Sequence, residues 1–161
     1  MDDPLTGYVR VKAICLFLHD GRLLAIDDFD PTKQQRFWVP VGGRVEFGET
    51  SRQAIIREIR EELDAEVLDL ELLGVLENLF TFAGDEGHEI VFVYDARFAE
   101  AAMYGAGSLK GMEGDKQFEA HWIDANAPAH GQPLYPDGLL NLMGTDESHH
   151  LGQSAIRSRE Y

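Results

Sequence analysis

The sequence predicts an α/β sandwich, a mixed β-sheet held between helices. Three observations lead there. Strand-like runs lie before and after one strongly patterned central helix. A second, shorter helix comes late. The chain of 161 residues, 44% hydrophobic and 27% charged, fits one soluble globular domain with its own core.

The elements follow in order. Residues 1–7, with Pro4 and Gly7, read as a loose end. Residues 8–18, YVRVKAICLFL, are rich in β-branched and aromatic side chains and predict one long strand. Asp20-Gly21 signals a hairpin turn, and residues 22–26 return as a second strand. Residues 27–35 contain Pro31 and many polar groups, which predicts a loop. Residues 36–41 form a short strand leading into Gly42-Gly43. Thr50 is the expected N-cap of the central helix, with Gln53 reaching back in a capping box. Ile55, Ile56, Ile59 and Leu63 then recur at helical spacing as a buried stripe.

After this helix, residues 67–82 alternate apolar positions around Gly74 and predict one strand, or two with a bend. AGDEG, 83–87, reads as a turn. HEIVFVYDARF, 88–98, reads as a central strand. Residues 99–116 are glycine-rich and predict a long loop. Residues 117–124 form another strand, 128–136 a connector, and 137–143 a short helix with Asp137 at or near its start. From Gly144 the chain is polar and weakly patterned. The expected organisation is an end at 1–7, a domain at 8–143 and a polar tail at 144–161, in which His149-His150 is not expected to form a metal site by itself.

The formal net charge of −15 argues against general nucleic-acid binding, because such a surface repels a phosphate backbone. Cys15 is the only cysteine, so no intrachain disulfide is expected, and its apolar strand favours packing over reactivity. No stretch approaches the length of a membrane-spanning helix, and MDDPLTGY lacks the layout of a signal peptide, so a cytoplasmic location is expected.

Glu58, Glu61 and Glu62 are spaced by three and four positions, which makes them neighbours along one helical face. Such a cluster repels itself. A divalent cation offsets the repulsion, and carboxylate oxygens suit a hard ion such as Mg²⁺, or Mn²⁺. The plainer alternative is a solvated acidic face balanced by Arg57 and Arg60. The wider pattern weighs against it. Gly43, five residues, Glu49, seven residues, then Arg57-Glu58-Ile59-Arg60-Glu61-Glu62 resembles the signature of the Nudix hydrolases, G-x5-E-x7-R-E-U-x-E-E-x-G-U, where U is a bulky aliphatic. Asp64 replaces the last glycine, and Ala65 stands where a larger aliphatic is usual. Pro40 lies one residue earlier than the proline often found before the glycine pair. Asp64 is expected to take the left-handed conformation that the glycine would take.

The resemblance implies a Nudix-like α-β-α sandwich over roughly 8–143, with the metal-binding box on a loop-helix-loop. It implies metal ligation by Glu58, Glu61 and Glu62, with the Gly42 carbonyl as a further ligand, and orientation of these groups by Arg57 and Glu49. The general base is either Glu58 or a later glutamate, here Glu89, which could equally be a fourth ligand. Asp85, Glu86 and His88 read as turn residues. Arg10, Lys12, Arg36 and Arg44 are the basic residues nearest the box and the candidates for phosphate contact. Phe37 and Trp38 read as core and loop anchors, and Phe80 and Phe82 as strand core rather than a base-stacking surface. The implied activity is Mg-dependent hydrolysis of a nucleoside diphosphate linked to another moiety. The alternative is a non-catalytic nucleotide-binding or regulatory domain. The proline and tyrosine that mark two subfamilies are absent from Leu79-Phe80-Thr81-Phe82. No membrane partner is expected. Many relatives are dimers, so a homodimer is compatible with the resemblance.

Overall fold

The computed structural model describes residues 7–143. The expected loose end before Gly7 and the tail from Gly144, with its His pair, lie outside the described residues. Strands β1 (Arg10–Leu16), β2 (Leu18–His19), β3 (Arg22–Asp30) and β4 (Gln35–Arg44) precede helix α1 (Ser51–Leu63). Strands β5 (Val67–Phe82) and β6 (Asp85–Phe98) follow it. Then come a short helix α2 (Ala102–Gly105), β7 (Ser108–Glu113), β8 (Lys116–Asp124) and helix α3 (Leu139–Met143). The strands join in the order β5-β6-β1-β4-β3-β8-β7, with β2 attached to β3. Only β1 and β6 run parallel among these pairs, so the sheet is mixed as expected.

Each face of the sheet carries its own core. On one face α1 buries Ala54, Ile55, Ile59 and Leu63 against Ala13, Cys15, Phe17 and Val41. Ile56, expected in that stripe, is only half-buried. On the other face Leu139 and Met143 of α3 pack against Ile14, Leu16, Val91 and Val93. Alternation along β1 explains the division, since successive side chains point to opposite sides of the sheet. Cys15 is fully buried. No helix among the described residues is long and apolar enough to cross a membrane.

Several expected boundaries move. The run 8–18 is not one strand: β1 ends at Leu16, and Leu18–His19 pairs with Leu23 and Arg22 instead. The expected loop 27–35 shrinks to a turn, because β3 and β4 stay paired to Asp30↔Gln35. Asp30 holds that turn, accepting from the backbone N–H of Thr32 at 2.9 Å and Lys33 at 3.1 Å. The polar residues before it lie on a hairpin, where Arg36 of β4 bonds Asp27 of β3. The turn 83–87 reduces to Ala83-Gly84, both with positive φ, and Asp85 and Glu86 belong to β6. The run 67–82 is one strand whose register shifts near Asp69 and Leu73.

The glycine-rich run 99–116 contains α2 and β7 rather than a long loop. At Gly111 the Phe118 ring of β8 fills the place where a Cβ would sit, so the glycine is packed within a strand pair. Helix α3 starts at Leu139, two residues beyond Asp137, because Gly138 has φ +95°.

Candidate active site

Local geometry places the acidic face of α1 over the end of β4. Thr50 caps the helix as expected: its hydroxyl accepts from Gln53 N–H at 3.2 Å, and its own N–H donates to Gln53 Oε1 at 2.8 Å. Ser51 shares a 2.7 Å hydrogen bond with the Tyr94 hydroxyl, and Arg52 donates to the Leu70 carbonyl at 2.8 Å, which fix the first turn against β5 and β6. Asp64 takes the expected left-handed conformation (φ 49°, ψ 43°), and its N–H bonds the Arg60 carbonyl at 3.0 Å.

The glycine pair serves two close approaches. A Cβ at Gly42 would overlap the Ala13 carbonyl of β1, and Gly42 has φ +146°. A Cβ at Gly43 would overlap the Glu58 carboxylate, so Gly43 is the cradle in which that carboxylate rests.

Arg57 ties the box together. Its Nε donates to Glu49 Oε2 at 3.1 Å and its Nη2 to Glu49 Oε1 at 2.6 Å, a two-pronged pair. Nη2 also reaches the Arg44 carbonyl at 3.0 Å, and Nη1 reaches Glu58 Oε1 at 2.9 Å and Glu61 Oε2 at 3.3 Å. The hydrogen bonds from Arg57 hold the Glu49 carboxyl below its ordinary range, and those from Glu49 first, then Glu58, push the Arg57 guanidinium further up.

Glu58 and Glu62 are the strained members. Burial raises the Glu58 pKa, with the Glu61 and Glu113 charges adding to it and Arg57 opposing. Burial raises Glu62 to about 8, with Glu58 and Glu113 adding and Lys12 opposing. Glu62 is 8% exposed, and its Oε2 is buried without a hydrogen-bond partner. A buried carboxylate oxygen with no donor, among other carboxylates, is the donor set a hard divalent cation takes. The residues present therefore fit a divalent ion. The predicted triad is not closed around one point, however: among the described residues no three acidic, His or Cys side chains stand grouped for ligation, and Glu61 is exposed and engaged by Arg57.

The other sequence candidates disperse. Glu89 is 4% exposed and lies beside Arg10 across the β1–β6 pair; Arg10 Nη2 donates to it, and Asn78 Nδ2 reaches it at 3.4 Å. Lys12 pairs with Arg44 across β1 and β4, close to the box. Arg36 does not join them. It is bonded to Asp27 at the start of β4, eight residues from Arg44, a span of about 26 Å along a strand. His88 bonds Glu77 at 2.9 Å. Trp38 anchors the connector through its backbone, whose N–H donates to the Pro133 carbonyl and whose carbonyl accepts from Tyr135 N–H, while Phe37 packs against Phe82 and Tyr135.

Glu113, at the end of β7, is the site residue that sequence reasoning missed, since its charge bears on both Glu58 and Glu62. Its signal was present: an acidic residue before Gly114-Asp115, at the tip of a strand pair.

A mixed sheet between two helices, with an arginine-braced acidic box beside a glycine pair, matches what the resemblance to the Nudix hydrolases implies. The comparisons agree. The NUDIX domain model matches residues 8–135. The chain is 32% identical over 139 residues to YvcI, an uncharacterized Nudix hydrolase of Bacillus subtilis, an alignment covering 84% of this chain and 80% of the relative. The crystal structure of a MutT NUDIX hydrolase from Burkholderia pseudomallei superposes with a TM-score of 0.62 at 26% identity, over 87% of this chain and 100% of that one. The Escherichia coli ORF135 protein shares the fold, with a TM-score of 0.52 at 24% identity over 80% and 81% of the two chains. The chain belongs to the Nudix family and is a hydrolase of it.

Proposed function

We propose that the protein is a Mg²⁺-dependent pyrophosphohydrolase, with Mn²⁺ as an alternative ion, acting on a nucleoside diphosphate linked to another moiety. The supporting observation is the Glu58–Glu62 pair: a half-buried and a buried carboxylate, both pushed toward protonation, the second with an oxygen that has no donor. Glu58, Glu61 and Glu62 are the proposed ligands with the Gly42 carbonyl, and rotation of Glu61 away from Arg57 would complete the set. Glu113 is added to it. Bound there, the ion neutralises phosphate charge and lowers the pKa of water.

The chain's own groups do the rest. Arg57 and Glu49 hold Glu58 in place over Gly43. Glu58 takes a proton from a water that attacks phosphorus, the bridging P–O bond breaks, and the leaving oxygen departs with the electron pair as phosphate. Glu58 is favoured over Glu89 as base, because its carboxylate lies against Gly43 within the box, whereas Glu89 lies on β6 opposite Arg10. Arg10, Lys12 and Arg44 are the favoured phosphate contacts, and the place of Arg36 at the far end of β4 from Arg44 removes it from them.

The test is phosphate-ester release from ADP-ribose, dinucleoside polyphosphates, NADH, sugar nucleotides and dNTPs, with Mg²⁺ and with chelator. Activity on at least one, abolished by chelator and reduced about 100-fold in Glu62→Gln, is expected. Chelator-resistant activity, or a fully active Glu62→Gln, overturns the proposal.

A further inference from the structure

A cleft of about 620 Å³ opens where the chain enters β1 and the β5–β6 hairpin ends, lined by Tyr8, Val9, Leu79, Phe80, Gly87 and His88 among others. That volume lies within the roughly 300–1,000 Å³ of small-molecule sites. Nothing in the box accounts for it.

We infer that this cleft seats the nucleobase of the substrate, with β1 as the ruler that sets the base against the diphosphate. The inference rests on the hydrolase reading above and adds to it the position and class of the non-reacting part.

The first support is the lining. Tyr8 and Phe80 present aromatic rings in one cleft, and a base has a π-face on which such rings stack. Gly87 gives Phe80 its place: a Cβ there would overlap the tip of the ring, so the missing side chain lets the ring lie across β6. Phe80 is therefore a positioned surface and more than strand core.

The second support is the order of groups along β1. Immediately beyond the cleft comes Arg10, whose Nε–H is buried and has no acceptor. Glu89, to which Asn78 donates, accepts from Arg10 Nη2. Two residues on, about 6.6 Å along the strand and on the same face, stands Lys12. Lys12 stands opposite Arg44 on β4, whose carbonyl accepts from Arg57 Nη2 of the box at 3.0 Å. The sequence of chemistry is thus aromatic cleft, orphan guanidinium donor, ammonium, acidic metal box. A nucleoside diphosphate has the same order: planar base, sugar, first phosphate, second phosphate at the cleaved bond. Glu89 becomes a positioning residue that orients Arg10.

Titration calorimetry of AMP, GMP, CMP and UMP, and of ribose 5-phosphate, into the full chain with Mg²⁺ tests this. The wild type should bind at least one nucleotide more tightly than ribose 5-phosphate. Tyr8→Ala and Gly87→Ala should each weaken that nucleotide about tenfold, the loss expected for one stacking ring, and leave ribose 5-phosphate unchanged. In turnover they should raise KM by a similar factor and spare kcat, since the base does not react. Tyr8 is 41% exposed, so its variant should fold even where Gly87→Ala does not. Equal affinity of the wild type for all five probes, or nucleotide binding and KM unchanged in Tyr8→Ala, overturns the inference. Nucleotide binding lost in the variant of a protein that hydrolyses nothing would sustain the cleft and sink the hydrolase reading instead.

Discussion

Gly43 shows how a single missing carbon positions the chemistry. The Glu58 carboxylate occupies the space that a Cβ at Gly43 would need. Gly43→Ala must push Glu58 out of its cradle and off Arg57 Nη1, while the backbone has no positive φ to strain at this position. The expected result is a drop of about 10- to 100-fold in kcat/KM, in line with losses on disturbing groups that orient metal ligands. The circular-dichroism spectrum should stay that of wild type. Wild-type kcat/KM in Gly43→Ala would mean that the Glu58 position does not matter. Residues at this scale were unevenly legible. Glu58 and Glu62 announce themselves because helical spacing alone makes them neighbours. Glu61 shares the spacing but turns to Arg57, a competition between partners that spacing does not encode. Glu89 sits on the expected strand, yet its meaning depends on Arg10, seventy-nine positions away. Glu113 shows in the sequence only as an acidic residue beside a turn; its bearing on the box was not legible, because Glu58 and Glu62 come from α1 and not from its own stretch.

At the scale of elements, α1 was legible, Ile56 apart, because its signals are local. The capping box, the apolar spacing and the left-handed Asp64 each involve residues within a turn or two. Thr50→Ala removes one half of the box and leaves the Gln53 N–H without its acceptor. The expected cost is about 1 kcal/mol of stability, read by urea denaturation. An unchanged midpoint would show that water replaces the hydroxyl without penalty. The misread elements are those whose partners are distant. Composition at 27–35 looks like a loop, but Asp27 and Arg36 pair across β3 and β4, and Asp30 supplies the turn. The stretch 99–116 looks flexible because of its glycines, whereas Phe118 on the neighbouring strand fills the place of a side chain at Gly111. Glycine signals freedom in a sequence and close packing in a sheet, and only the neighbour decides between them.

For the molecule as a whole, with a formal net charge of −15, shifted carboxylates make stability depend on pH. The shifted carboxylates fall into two groups. Asp30, Glu49 and Glu66 lie below their ordinary values, so their contribution is present above the unfolded pKa and fades as pH falls through the folded one. Asp95 lies on the other side. Burial, then the charge of Glu71 directly opposite on β5, raise it from 3.8 to about 6. The folded state therefore holds this proton more tightly than the unfolded chain does. Its contribution to stability is complete below pH 3.8 and is lost as pH rises through about 6. Near neutral pH the folded protein carries a half-buried charge facing a like charge. Asp95→Asn removes that charge and keeps the shape. At 1.36 kcal/mol per unit the shift would correspond to about 3 kcal/mol, and partial solvent screening reduces the expected gain to about 1 kcal/mol. The variant should thus melt higher than wild type at pH 7.5, and the difference should shrink toward zero at pH 4, where wild-type Asp95 is already protonated. Comparing the two proteins at each pH cancels the contributions of Glu58 and Glu62, which both share. A melting-temperature difference that stays constant between pH 4 and 7.5, or that favours wild type at neutral pH, would show that Asp95 is charged and well solvated in the folded state.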